Sequence, residues 1–460
     1  MHDSNKLDRR VFLKSTAAGV SAAAVGNAML RAEEKADAPK VDESKLIWRS
    51  KAPGMEYRRL GRTNYMCSRI VNGWAGEERS WCMMIERGMN YFDTARGYGD
   101  SEEKLRPFVE RFRDRIWITS KATDVGGYSK IDPDVVKLYR EAMKRFLGDG
   151  DGDLLALHKK SLEKAKATGE QPDYRPAGRR ITELYARKLD ESLKRLGTDH
   201  VDCYFVHGVE IPWMFQCTEL WDAYAKAHKA GKVKHFGFST HKHQKEVLAA
   251  AVEANSQGPW KIDLIMPGVN PESFDHLKPE LEALKKQDVG VVAMKTSGIK
   301  NRPVDGREEK LKNLVAGRDF NEWERAKLWM LHLTDGNIDA CIAAMKSIEE
   351  MEKDLDLPSI QLSAEARREL NALVKYEMAG ACHLCGSCET HCPEHIAVVD
   401  MVRYHAYIHQ YNEKEYAREL YAQAGYNPAK VCNNCGKCAD ACSSSVPITQ
   451  YLHELSIALA

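Results

Sequence analysis

An α/β barrel of eight strands followed by a small α-rich, metal-binding domain is the architecture that this sequence predicts, on three observations. Short apolar runs rich in β-branched residues alternate with amphipathic segments through the middle of the chain. There are eight such runs. Eight of the thirteen cysteines, moreover, are gathered near the C-terminus in two copies of one pattern.

The strand candidates are residues 68–71, 89–92, 116–119, 201–206, 234–238, 262–266, 289–293 and 340–343. Helical periodicity lies between them, as at 181–196, 220–230 and 320–333. Eight strands each followed by a helix is the count of a (β/α)8 TIM barrel. An open doubly wound sheet is the alternative, but it carries a glycine-rich phosphate turn after its first strand, and none stands here. Residues 123–178 form an insertion after the third strand, where loops of a few residues are usual. Helical patterns at 131–147 and 153–166 predict a hairpin that serves as a lid, a dock for the C-terminal domain or neither.

The C-terminal pattern is Cys382, Cys385, Cys388 and Cys392, then Cys432, Cys435, Cys438 and Cys442. C-x2-C-x2-C-x3-C sets three thiolates round one iron–sulfur cubane and sends the fourth elsewhere, so two [4Fe-4S] clusters are expected. Zinc is the competing reading, since paired C-x2-C motifs also build tetrahedral sites. Pro393 follows the first run, whereas the second has Ser443 there and Pro447 further on. The segment resembles bacterial dicluster ferredoxins with a longer helical spacer, roughly 398–424. That resemblance implies crossed ligation, with Cys442 joining Cys382, Cys385 and Cys388, and Cys392 joining Cys432, Cys435 and Cys438. The other cysteines, Cys67, Cys82, Cys203, Cys217 and Cys341, are scattered and read as buried thiols.

At the N-terminus, Arg9 and Arg10 precede Phe12-Leu13-Lys14 and an alanine-rich run to Leu30. The sequence therefore divides into a twin-arginine signal (1–30), a polar linker (31–54), the barrel (55–357) and the iron–sulfur domain (358–460). Export of folded cargo to the periplasm or cell envelope by the twin-arginine machinery suits a protein that must receive its clusters in the cytoplasm. With 68 basic and 67 acidic residues, no global field argues for nucleic acid.

In a barrel, chemistry gathers where strands end. Asp93, Lys121 and His207 stand just past strands two, three and four, with Tyr98 in the loop after strand two. Each alone has a structural reading, as a turn cap or a satisfied core histidine. Together they place four ionisable groups on one rim.

Met55 to Thr63 (MEYRRLGRT), Gly88 to Gly99 (GMNYFDTARGYG), Ile118 to Lys121 (ITSK), Leu189 to His207 and Gly231 to Ser239 (GKVKHFGFS) resemble the aldo-keto reductases, over roughly residues 55–357. Members of that family with a C-terminal dicluster segment give the whole architecture precedent. The resemblance implies reduction of a carbonyl substrate by hydride from NADP(H). Tyr98 would be the general acid, Lys121 would favour its anion, Asp93 would hold Lys121 charged, and His207 would orient the substrate oxygen. Cofactor contacts would fall on Gly73, Trp74, Ser239, Thr240, Asn270, Met294, Lys295, Lys346 and Ser347. Departures cluster here: Met266 and Met294 replace a common glutamine and tyrosine, Ala343-Ala344 replaces Pro-Gly, and Lys353-Asp354 replaces Glu-Asn.

Two functions from different classes follow. One is an exported carbonyl reductase. The other is an electron-transfer subunit whose barrel is a cofactor-binding or docking scaffold for a redox partner. Hydride carries two electrons and each cluster takes one, so exchange between them calls for a flavin, and no flavin fingerprint is visible.

Overall fold

The computed structural model describes residues 41–459 apart from 74–75, 77, 127–130, 149–151, 153, 258–260, 300–301, 305 and 423–426. The expected signal, linker residues 31–40 and Trp74 lie outside the described residues.

Ten strands are described: β1 Tyr57–Arg59, β2 Met66–Ser68, β3 Ile70–Asn72, β4 Tyr91–Asp93, β5 Trp117–Ala122, β6 Val201–Val206, β7 Val233–Thr240, β8 Leu264–Pro267, β9 Gly290–Ala293 and β10 Ala340–Ala343. β3 to β10 are parallel and closed, β10 pairing with both β9 and β3. Each of the eight expected apolar runs overlaps one barrel strand. β1 and β2 form an antiparallel hairpin that the strand reading did not include. Its tip presses on the start of β9, where Arg62 N–H donates to the Asp288 carbonyl at 2.7 Å. Only glycine fits at Gly61: its φ is +49°, and a Cβ would sit 2.3 Å from the Gly290 nitrogen.

The lumen is packed with Tyr91, Trp117, Phe205, Leu264, Met266 and Val292, whereas the larger core lies between the strands and the outer helices. This division follows from the pleat: alternate residues point to opposite faces, so a barrel strand must be apolar on both. The helix Ala364–Met378 packs into that outer core through Leu370, Leu373 and Val374, although it follows the expected barrel boundary at 357. A separate core begins at Leu384 and takes in Val398, Met401, Val402 and Leu452.

Within the insertion, Pro133–Leu147 and Leu154–Thr168 are the two helices. They pack on the long helix Arg175–Leu196 and the turn Pro212–Gln216, with Tyr139 stacked 4.4 Å from Trp213. The spacer between the cysteine runs, expected as one helical stretch, is two helices, Val398–His409 and Lys414–Ala422. The break falls where Asn412 adopts φ +53° and Tyr411 turns back onto the barrel. Among the described residues no helix is long and apolar enough to cross a membrane.

Candidate active site and iron–sulfur ligands

Tyr91, Trp117 and Phe205 fill the lumen, and period-two alternation sends Asp93, Lys121 and His207 inward above them. All three are buried, at 3%, 1% and 2% exposure. The Lys121 ammonium donates to the Asp93 carboxylate and, at 2.9 Å, to the Thr94 carbonyl. It lies 4.9 Å from the centre of the Tyr98 ring. His207 meets that ring edge-on, centroids 5.5 Å apart, and its Nδ1 is 3.0 Å from the Thr123 hydroxyl. The four residues therefore form one contacting cluster.

Burial pushes Asp93 up to about 6 and is opposed by Lys121, so the carboxylate is largely ionised at neutral pH. Burial lowers Lys121, with Asp93 opposing. Tyr98 is raised, first by burial and then by the Asp93 and Tyr407 charges. This differs from the expectation that Lys121 would favour the Tyr98 anion. The ammonium is spent on Asp93, and the phenol keeps its proton.

The C-terminal domain lies across this rim. Lys295, which follows β9 in a left-handed conformation, donates to the Tyr407 hydroxyl at 3.0 Å. Burial alone would push the Tyr407 phenol up, but Lys295 and Arg403 outweigh it and bring it down to about 8. Tyr411 donates to the Gly298 carbonyl at 2.6 Å and stacks on Trp323 at 4.7 Å. Beyond β7, the wholly buried Lys242 meets Asp400 at 2.7 Å, Glu389 at 3.2 Å and Glu210 at 3.8 Å. Burial works against the Lys242 charge, yet these carboxylates hold its pKa well above the usual lysine value. Gly386, at φ +79°, lies so close to His243 that a Cβ would come 2.2 Å from its ring.

Between rim and domain is a cavity of about 420 Å³, lined by Asn270, Lys295, Thr296, Ala343, Lys346, Arg403, Tyr407 and Cys382 among others. Several residues expected at a nicotinamide cofactor border it, but many of their polar atoms are engaged. Asn270 caps the helix Pro271–Lys286, its side-chain oxygen accepting from Glu272 and Ser273 N–H at 3.0 Å each. Ser347 caps Ile348–Asp356 through Glu350 N–H at 3.1 Å. Lys346, expected near a phosphate, is ion-paired with Glu413 of the C-terminal domain. Asp354 is buried against Lys327 rather than presented to an adenosine. Ser239 accepts from Gly208 N–H at 2.9 Å, and the Thr240 hydroxyl donates to the Lys242 carbonyl at 3.2 Å. Met294 is buried. Gly73 donates to the Ala343 carbonyl at 3.0 Å, and a Cβ there would meet Ile342 at 2.6 Å.

The cysteines fall into two groups. Burial raises the Cys382 thiol to about 12 and raises Cys388 as well, and both feel Cys385 and Cys442. Cys438, also raised by burial, feels Cys392 and Cys432. A small cavity is lined by Cys392, Cys432, Cys435 and Cys438. This crossed grouping fits iron–sulfur ligation: thiols that burial keeps protonated become thiolates only where a cationic metal centre compensates. The repeat is also geometric. Leu384 and Asn434 have φ of +59° and +55°, followed by Gly386 and Gly436 at +79° and +77°. Leu384 N–H and Val446 N–H each donate to a cysteine sulfur at 3.4 Å.

Sequence reasoning missed Thr123, Lys242, Glu389, Asp400, Arg403 and Tyr407. The polar run Ser239 to His243 after β7 and the aromatic series Tyr404, Tyr407, Tyr411 were visible signals. Nothing in the sequence said that they would meet.

Residues 82–299 match the Aldo/keto reductase family, and residues 381–447 match the 4Fe-4S dicluster domain. The chain is similar to the uncharacterized oxidoreductase YrpG of Bacillus subtilis (strain 168), with 26% identity over 206 residues, 40% of this chain and 49% of that protein. It thus spans about half the length of this curated relative. Among solved structures, it is similar to aldo-keto reductase AKR11C1 from Bacillus halodurans (holo form), at 19% identity and TM-score 0.45, covering 70% of this chain and 97% of that one. An aldo/keto reductase from Brucella melitensis gives 16% identity and TM-score 0.45, covering 69% and 99%.

Proposed function

Starting from an aldo-keto reductase-type oxidoreductase domain joined to a 4Fe-4S dicluster domain, we propose that this protein is an exported enzyme that reduces a carbonyl compound, an aldehyde, ketone or sugar-like molecule. The observation that carries the reading is the buried Asp93–Lys121 pair beneath Tyr98, with His207 edge-on to the same ring.

NAD(P)H, when bound, supplies the hydride and with it both electrons. The chain's own residues handle the oxygen. Tyr98, a phenol held protonated by burial, gives its proton to the oxygen as the carbonyl becomes an alcohol. The tyrosinate left behind has the Lys121 ammonium, itself paired with Asp93, 4.9 Å from its ring centre, and is reprotonated from solvent. Asp93 keeps Lys121 charged and aimed. His207, oriented through Thr123, polarises the carbonyl oxygen. The C-terminal domain covers part of the rim through Tyr407 and Tyr411, which lowers the local dielectric around these charges.

Two [4Fe-4S] clusters would be held by Cys382, Cys385, Cys388 and Cys442, and by Cys392, Cys432, Cys435 and Cys438. They handle single electrons for a redox protein partner. Arg9 and Arg10 before an alanine-rich run support export by the twin-arginine route.

One observation favours the second reading, an electron-transfer subunit. Cys382 shares the walls of the rim cavity with Lys295 and Tyr407, so a redox cofactor seated there would lie beside a cluster ligand. Anaerobic titration of cluster-loaded protein with NADPH separates the two, following nucleotide fluorescence and cluster absorbance together. Binding without bleaching supports a carbonyl reductase whose clusters serve another partner. Bleaching supports a single electron path through the cavity. Absence of binding overturns the hydride reading.

A further inference from the structure

Away from both cysteine groups, we propose that His405, His409 and Glu454 form a binding site for one divalent cation of the zinc class. His405 and His409 stand four residues apart on the helix Val398–His409, so both imidazoles leave the same face. Glu454 comes from Ile448–Ala458, the helix packed on that face. One donor atom from each of the three lies within 4.8 Å of the others. His405 Nε2 is 2.5 Å from the Glu454 carboxylate, and the two imidazole centroids are 4.3 Å apart.

The surroundings hold these donors in position. Gln450 donates to the other Glu454 oxygen at 2.8 Å, fixing the carboxylate from behind. Tyr451 stacks flat on His405 with centroids 3.9 Å apart and an interplanar angle of 13°. His405 is buried and Glu454 half-buried, while His409 is exposed and closes the site from the solvent side.

Two imidazoles and one carboxylate suit zinc, whereas calcium and magnesium require oxygen ligands throughout. Tetrahedral zinc takes nitrogen and oxygen at about 2.0–2.2 Å, which puts neighbouring donors about 3.3 Å apart. The observed donors bracket that separation, so side-chain rotation alone brings them onto a common ion. Water fills the fourth position. An ion here would fasten the C-terminal helix to the spacer helix and tighten the domain that carries the cysteines.

The test is equilibrium dialysis of tag-free, cluster-loaded protein against micromolar Zn2+ under anaerobic conditions, with zinc and iron counted together. The parent protein should retain one zinc that His409→Gln and Glu454→Gln lose at unchanged iron content. Equal zinc in parent and variants, or none in the parent, overturns the site. X-ray absorption at the zinc edge of the parent gives a second readout that does not depend on how the variants fold. A shell of nitrogen and oxygen with two imidazoles is expected; sulfur in that shell means the zinc sits among cysteines and the proposal fails.

Discussion

Replacing Lys242 with Met probes how the C-terminal domain is fixed to the barrel. The ammonium is wholly buried among Asp400, Glu389 and Glu210 at 2.7, 3.2 and 3.8 Å, two of which belong to the C-terminal domain. Methionine preserves most of the volume and removes the charge that the three carboxylates share. Asp400 keeps Arg403 at 2.8 Å, and Glu389 keeps the Val399 N–H at 2.9 Å. Removing one partner of a buried ion pair costs about 3–5 kcal/mol, and the contacts that Asp400 and Glu389 retain keep the loss near that of a single pair. Its pH dependence is diagnostic. Burial already pushes Glu389 up to about 7 with Lys242 present, and removing the lysine raises it further. A carboxyl whose folded pKa exceeds its unfolded value stabilises the fold below the unfolded value and loses that contribution as pH rises through the folded one. The Lys242→Met penalty should thus be full at about pH 8 and shrink towards about pH 5, where Glu389 takes up a proton instead of bearing an unpaired charge. Anaerobic urea unfolding of cluster-loaded protein, followed by circular dichroism and cluster absorbance, measures it. A variant within about 0.5 kcal/mol of the parent at the higher pH, or a penalty that does not narrow on acidification, would refute the reasoning.

Tyr98→Phe should cut carbonyl turnover by about 10²–10⁴ while NADPH binding and iron content stay unchanged; turnover at the parental rate removes Tyr98 as the acid. Ultraviolet titration should reveal one tyrosine ionising near 8, absent in Tyr407→Phe, because Lys295 and Arg403 favour its anion. Since that folded pKa lies below the ordinary phenol value, its stabilising contribution is present above about 10 and fades as pH falls through about 8. Crossed ligation predicts that Cys442→Ser and Cys385→Ser disturb the same cluster and give matching paramagnetic resonance spectra. If Cys442→Ser instead matches Cys432→Ser, ligation is uncrossed.

The barrel was legible because its evidence is local. The strands from β3 to β10 are built on short, largely apolar runs, and the positions of Asp93, Lys121 and His207 at strand ends follow from counting along those runs. The hairpin β1–β2 was harder to read, since Tyr57–Arg59 is neither alternating nor apolar. The spacer between cysteine runs was legible as helical but not as two helices. Its break is set by Tyr411 reaching the Gly298 carbonyl, a contact 113 residues away in sequence.

The sequence by itself determined the eight barrel strands, the residues at the rim and the two cysteine sets, because each depends on periodicity or on spacing within a few residues. Tertiary structure alone decided what those groups experience. It buries Tyr98 beside Asp93 so that the phenol keeps its proton, ties Lys346 to Glu413 and not to a phosphate, and buries Lys242 among carboxylates from both domains. Those outcomes depend on desolvation and on charges brought together from distant parts of the chain, and neither is encoded in any one segment.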